Sequence, residues 1–501
     1  MIMFKNFKPI ILSILFVLLS TITSSCSNDT QPIIDQPTTT DGTQSDIDNG
    51  TGTGTVTETE TETETETVTV SETETETGTE TITEIETGTE TITETETGTE
   101  TVTETETKTK TETGTGTGTE TETQIDVTPP TNPSDDLPFV TIWKTDNLGD
   151  SKNNEIEITT LDNGYNFNVD WGDGSFDNNV TNNITHTYAS IGTYTISISG
   201  DFPHFLAGED SEKLLSVEFW GAQQWRSMQD SFMNSINFEL NAVDAPDLSN
   251  VTNMSYAFYN AEIFNHDINN WDVSNITDMS YMFSNTDTFN QPLSSWNVSN
   301  VINMQYMFRG ADDFNQNLNT WNVSNVTTMN NMFSDTDFFN QDLSAWDVSN
   351  VTTMVGMFEY AYAFNQDLNT WNVSNVNNMK KMFFYAAVFN ADISSWNVSK
   401  VTNMTSIFHG AKKYNQDISL WDVSSVKYMS SMFSYAYVFN QDISNWDVST
   451  AQYMNEMFAN TKAFNQPLND WDVSSVSSMN EMFKWALVFN QEIGGWDVSS
   501  V

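Results

Sequence analysis

Two sets of side chains recur at places where they could do chemistry. Asp272, Asp347, Asp422, Asp447 and Asp472 hold one position of a repeated pattern, and Asn297, Asn322, Asn372 and Asn397 hold the same position in other repeats. A row of such groups can bind glycan hydroxyls or the cations of a basic protein segment, or it can simply solvate an exposed strand. The second set is aromatic. Tyr360, Tyr362, Tyr385, Tyr435, Tyr437 and Trp485 lie in a loop that is polar in earlier repeats, with Asn285, Gly310 and Asp335. Exposed aromatics offer contact area at small entropic cost and are enriched at binding surfaces; packing between neighbouring loops is the alternative. Catalytic machinery is not legible: there is no nucleophile beside a base, no phosphate loop, and the carboxylates are periodic rather than a unique pair. His186, His204, His266 and His409 are scattered without ligand spacing, and Cys26 is the only cysteine, which excludes a disulfide framework and a cysteine-based metal or redox site. The expectation is a binding protein, not an enzyme, with no cofactor and no metal.

These residues are positioned by a period. Trp271, Trp296, Trp321, Trp346, Trp371, Trp396, Trp421, Trp446, Trp471 and Trp496 recur every 25 residues without insertion, and a period in the 20–50 range signals a solenoid. In residues 289–313, Trp296 and Val298 stand two apart, as on one face of a short strand. Val301, Met304, Met307 and Phe308 follow at steps of three, three and one, which predicts one face of a short helix. Ser299 and Asn300 suit the helix start, and Gly310 and Ala311 let the chain turn back. One repeat buries too little apolar area to offset the entropy of ordering it, so neighbours must share a continuous core and their strands a long parallel sheet. The Trp, Val and Met columns are therefore core. An Asn follows the opening aromatic in every complete repeat, from Asn265 to Asn490, as expected for an internal ladder of amides bonding to adjacent turns.

Before the repeats the chain changes character three times. Residues 1–25 carry Lys5 and Lys8, then an apolar run from Ile10 to Leu19, too short to span a bilayer, then small residues before Cys26. This resembles a bacterial lipoprotein signal, which implies lipidation of Cys26; Thr23 stands where that pattern prefers Leu. Residues 26–137 are dominated by Thr and Glu. From Thr51 to Gln124 there are 20 Glu against two Lys, a charge of −18. Alternation would put like charges on one face and leave no apolar surface to bury, so the tract is expected to stay disordered, as a stalk. Residues 138–201 turn globular. Tyr194, Ile196 and Ile198 alternate with polar residues as in a half-buried strand, and Gly172 and Gly174 permit a tight turn after Trp171. "VDWGDG" and "HTYASIGTYTISI" resemble the PKD domain, which implies an immunoglobulin-like β-sandwich acting as a spacer. Asp170 and Asp173 there suit either calcium or the turn itself.

The repeat resembles the BspA-type leucine-rich-repeat surface proteins, in the branch whose unit reads "FNQDLSSWDVSNVTNMSYMF". That resemblance implies an α/β repeat, a right-handed leucine-rich-repeat-like solenoid with a short parallel strand and a short helix per 25 residues. Segments 214–232 and 245–258 look like degenerate first units, so residues 202–263 are assigned to N-terminal capping repeats and 264–501 to the regular ones. The last unit has just begun at Val501, which reads as a truncated C-terminus. The formal net charge is −52, and from Phe264 onward nine Lys or Arg face 23 Asp or Glu. Such a surface repels phosphate backbones, so nucleic acid is excluded as a partner. The expectation that follows is a membrane-anchored bacterial surface lipoprotein binding a host or neighbouring-cell protein or glycan, as an adhesin. A passive antigenic scaffold, a glycan-capture lipoprotein of a polysaccharide uptake system and a hydrolase accessory protein are the alternatives.

Overall fold

The computed structural model describes residues 87–93, 101–107, 137–161 and 163–501, in two units that divide after Glu122. In the first, β1 (Thr87–Thr93) and β2 (Thr101–Thr107) pair antiparallel, with Glu90 opposite Glu104 and Ile92 opposite Val102. The β-branched Thr at alternate positions favours extended backbone. Cys26, the apolar segment before it and the rest of the stalk lie outside the described residues.

In the second unit, strands β3 (Phe139–Lys144), β5 (Asn166–Asp170), β6 (Phe176–Val180), β8 (Thr193–Asp201), β9 (Leu214–Phe219) and β10 (Glu239–Leu240) form one sheet in the order β10-β9-β3-β8-β5-β6. A smaller sheet pairs β4 (Glu155–Ile158) with β7 (Ile184–Thr187). Alternation does what the sequence implies: Phe167 and Val169 of β5 and Ile196 and Ile198 of β8 are buried, and their neighbours face outward. At the turn after Trp171, Gly172 has φ +75°, and a Cβ there would run into the backbone carbonyl of Thr195.

The sheet does not stop at residue 201. β9 pairs antiparallel with β3 and parallel with β10, so the first degenerate repeats extend the sheet. The Phe139 ring lies 5.7 Å from Trp220 and 5.1 Å from Trp225, and Trp220 lies 5.4 Å from Trp271. One core therefore runs from the sheets into the repeats. The buried Lys213, in the 3-10 helix η1 (Gly208–Lys213), pairs with Asp210 at 3.3 Å and donates to the carbonyls of Ser151 and Glu155, which fastens the junction again.

The repeats are not α/β. Among the described residues η1 is the only helical segment, and the expected helix per repeat is absent. Where the helix was expected, alternate residues turn their N–H groups to the next coil. Met304, Tyr306, Phe308 and Gly310 donate to Thr328, Asn330, Met332 and Ser334 at 3.3, 2.8, 3.0 and 2.9 Å. Between them, Met307, Arg309 and Ala311 close tight turns on the carbonyls three residues back, at 3.3, 3.2 and 3.1 Å. Tyr306 (φ +58°) and Gly310 (φ +67°) are left-handed, and a right-handed helix cannot pass through such residues. The apolar spacing is still satisfied, because three-residue turns also return Val301, Met304, Met307, Phe308 and Ala311 to the interior, where all are fully buried.

The expected strand at Trp296–Val298 is also not paired. The parallel contact is a single bridge per coil, further along, from Asn253↔Asp278 through Asn303↔Thr328 to Tyr453↔Ser478. Ile302 N–H donates to Thr277 O at 2.9 Å beside it. The chain is thus a β-class stack of turn-rich coils. Its interior is made of ring columns: Phe283, Phe308 and Phe333 stack at 5.6 and 5.7 Å, and Trp346 lies on Trp371 at 6.4 Å with planes 2° apart.

Candidate recognition surface on the turn face

The framework columns are occupied by structural duties. Each indole from Trp296 to Trp496 donates Nε1–H to a Leu or Ile carbonyl of the preceding coil; Trp296 reaches Ile268 O at 3.0 Å and Trp346 reaches Leu318 O at 2.9 Å. The Asn ladder exists, at the surface rather than inside. Asn290 N–H donates to the Asn265 side-chain oxygen at 2.9 Å, Asn315 N–H to Asn290 at 3.0 Å, and the sequence continues to Asn490 on Asn465 at 2.8 Å.

The aspartate column turns back on its own backbone. One carboxylate oxygen of Asp272, Asp347, Asp422, Asp447 and Asp472 accepts the N–H two residues on, at 3.0–3.1 Å. Bonds from Ser274, Ser349, Ser449 and Ser474 hold Asp272, Asp347, Asp447 and Asp472 below the usual carboxylate range. These side chains are exposed, but each is first a turn former. Asp170 and Asp173 behave alike, accepting from Gly172 N–H at 3.0 Å and Ser175 N–H at 2.9 Å. Ser175 and His186 hold Asp173 down to about 2. The Ser175 hydroxyl and Asp173 both meet His186 at Nε2, so the three do not form a relay, which would need one partner on each ring nitrogen.

The aromatic residues are brought together. Tyr360 stacks on Tyr385 at 5.5 Å, Tyr362 lies 6.1 Å from Tyr360, and Tyr435 lies 6.4 Å from Tyr437. His409 joins the two groups, 5.2 Å from Tyr385 and 5.4 Å from Tyr435, and stacks on Phe384 at 4.7 Å. Tyr360, Tyr385 and Tyr435 each occupy the second left-handed position of their coil, with φ +59°, +54° and +60°. Gly410 fills that position in the coil between the last two, and its missing side chain makes room for the Tyr385 ring. Lys381 Nζ sits 4.6 Å over Phe384 and Lys462 Nζ 3.9 Å over Tyr437; Lys381 also pairs with Glu359 at 2.6 Å. Burial, then the charge of Lys381, presses His409 down to about 4, so it is a neutral ring in this cluster. Trp485 stands apart: it is 64% exposed, and among the described residues no ring packs on it.

On the side of lower residue numbers the patch borders acids. Partial desolvation, then the charges of Asp337, Asp287, Asp335 and Asp313, push Asp312 up to about 7, although the residue as a whole is exposed. Sequence reasoning missed Phe384 and His409, which precede Tyr385 and Gly410 at the same 25-residue step. It also missed Tyr256, Tyr281 and Tyr306, whose recurrence was visible in "MSYAF", "MSYMF" and "MQYMF".

A family model described as "Mycoplasma protein of unknown function, DUF285" matches residues 226–344, 313–421 and 408–501. The chain belongs to the DUF285 family. The matches tile the coil stack from Arg226 onward; strands β3 to β9 lie outside them, and β10 lies within the first. No curated protein and no solved structure matches the chain. Among the described residues no helix is long and apolar enough to cross a membrane, and no three His, Cys, Asp or Glu converge as metal ligands would.

Proposed function

We propose that this DUF285 chain is a lipid-anchored bacterial surface protein whose coil stack binds a macromolecule, a protein in preference to a glycan, through the aromatic cluster from Tyr360 to Tyr437. The observation that carries this reading is that half-exposed rings gather where the coils depart from their own pattern. The framework columns repeat because packing or hydrogen bonding demands them, whereas these rings occur in only some of the coils. Tyrosine and histidine rings held by stacking lose little freedom when a partner covers them. Cys26 behind an apolar segment, and the likeness of the repeat to BspA-type surface proteins, support the surface location. The chemistry is binding without catalysis.

The test is binding of the unlipidated chain from Cys26 onward to extracellular-matrix proteins and to a glycan array at physiological salt. Saturable binding to one protein class is expected. At roughly 1–2 kcal/mol per ring, Tyr362→Ala with Tyr385→Ala should weaken it about 30- to 700-fold. Binding to sugars alone would replace this reading with glycan capture. A folded chain that binds neither would be a passive scaffold.

A further inference from the structure

A second tyrosine array lies nearer the sheets. Tyr256 stacks on Tyr281 at 4.4 Å with planes 7° apart, and Tyr281 on Tyr306 at 4.4 Å and 10°. The three share one backbone conformation, with φ +57°, +58° and +58°, so their rings leave successive coils in the same direction. The coils are fastened beside them, Tyr256 N–H to Ser280 O at 2.9 Å and Tyr281 N–H to Gln305 O at 3.0 Å. All three residues are half-buried. The Tyr281 phenol is held protonated by burial and by the phenols on either side. Other tyrosine pairs are less suited. Tyr188 and Tyr194 stack more closely, but Tyr188 is buried, and their hydroxyls are tied to Trp171 O at 3.0 Å and Ser190 O at 2.8 Å. Tyr428 and Tyr453 lie 5.2 Å apart and Tyr360 and Tyr385 5.5 Å.

We propose that Tyr256, Tyr281 and Tyr306 form an oxidative cross-linking site, at which a haem peroxidase with hydrogen peroxide joins two neighbouring rings as dityrosine. Each phenol gives up its hydroxyl hydrogen, the electron to the peroxidase and the proton to solvent. The two radicals couple carbon to carbon at positions ortho to the oxygens. The ring hydrogens at those carbons then move to the oxygens and restore both phenols. Overall, two tyrosines and one hydrogen peroxide become one dityrosine and two waters. The link staples adjacent coils, and Tyr281, which belongs to both pairs, is the ring common to either link.

The experiment treats the full chain with a haem peroxidase and limiting hydrogen peroxide, isolates the monomer under denaturing conditions, and maps linked peptides by mass spectrometry. The expected product has lost two hydrogens and joins Tyr281 to Tyr256 or Tyr306, with dityrosine emission in the monomer. Tyr281→Phe should remove most of that emission, and Tyr428→Phe none of it. Tyr256→Phe should leave only the link to Tyr306, and Tyr306→Phe only the link to Tyr256, so the site remains testable if Tyr281→Phe misfolds. Emission undiminished by Tyr281→Phe, links only between chains, or a dominant link at another pair would overturn the proposal.

Discussion

Each tryptophan from Trp296 onward is held twice, by the phenylalanine ring thirteen residues before it and by its indole N–H on the preceding coil. The second tie explains why no other aromatic replaces it: a phenylalanine would keep the stack and lose the donor. Trp346→Phe should leave Leu318 O buried without its partner and a void beside Trp371, costing about 2–4 kcal/mol. Guanidinium unfolding reads the total, and hydrogen exchange should show the loss centred on the coils around Trp346. His409 supplies a pH dependence. Its folded-state pKa, about 4, lies below the ordinary 6.5, so its contribution is full above pH 6.5 and is lost as pH falls towards 4. Melting temperature and near-ultraviolet circular dichroism of the tyrosines should both fall across that window, and His409→Phe, which can still stack on Phe384, should flatten the part of the fall that His409 causes.

At the scale of the coil, hydrogen bonding decides between helix and turn run. The steps of three, three and one in Val301, Met304, Met307 and Phe308 fit one helix face, but a succession of three-residue turns has nearly the same spacing, and apolar pattern alone does not separate them. The sign that separates them is the left-handed position. At the second such position six of the ten coils carry Asn, Asp or Gly (Asn260, Asn285, Gly310, Asp335, Gly410 and Asn460), residues that tolerate this conformation. At the first, Tyr, Lys, Ser and Glu predominate, and nothing in them announces it. Gly410→Ala tests how the coil shapes the recognition surface. The residue has φ +72°, and a Cβ would sit 2.8 Å from the Tyr385 ring. The substitution should cost about 1–3 kcal/mol and push Tyr385 off His409, visible as a lower melting temperature together with weaker ligand binding.

For the whole described unit from residue 137, the sheets and the coils are one folding body. β9 takes its antiparallel partner from β3, and Phe139 closes over Trp220 and Trp225. A chain beginning at residue 202 would leave β9 unpaired along one edge and uncover those indoles. It should melt lower than a chain beginning at residue 137 and should self-associate, which light scattering and denaturation together would reveal. If the two melted alike as monomers, the sheets would be an independent spacer, as the PKD-like reading implied.

The sequence by itself determined the 25-residue period, the buried columns of Trp, Val, Met and Phe, the need for a shared core, and the Asn ladder. All of these follow from side-chain chemistry repeated at a fixed interval. Only the tertiary structure decided where the backbone N–H groups point. Whether Tyr306 N–H bonds within its own coil or to Asn330 of the next depends on a neighbour placed by the stack, and that choice replaced the helix with turns. The same placement joined the first coils to β3 and drew Tyr360, Tyr385, His409 and Tyr435 together across consecutive coils. Residues 25 apart in the chain became neighbours because each coil adds about one strand spacing, ~4.8 Å, to the stack.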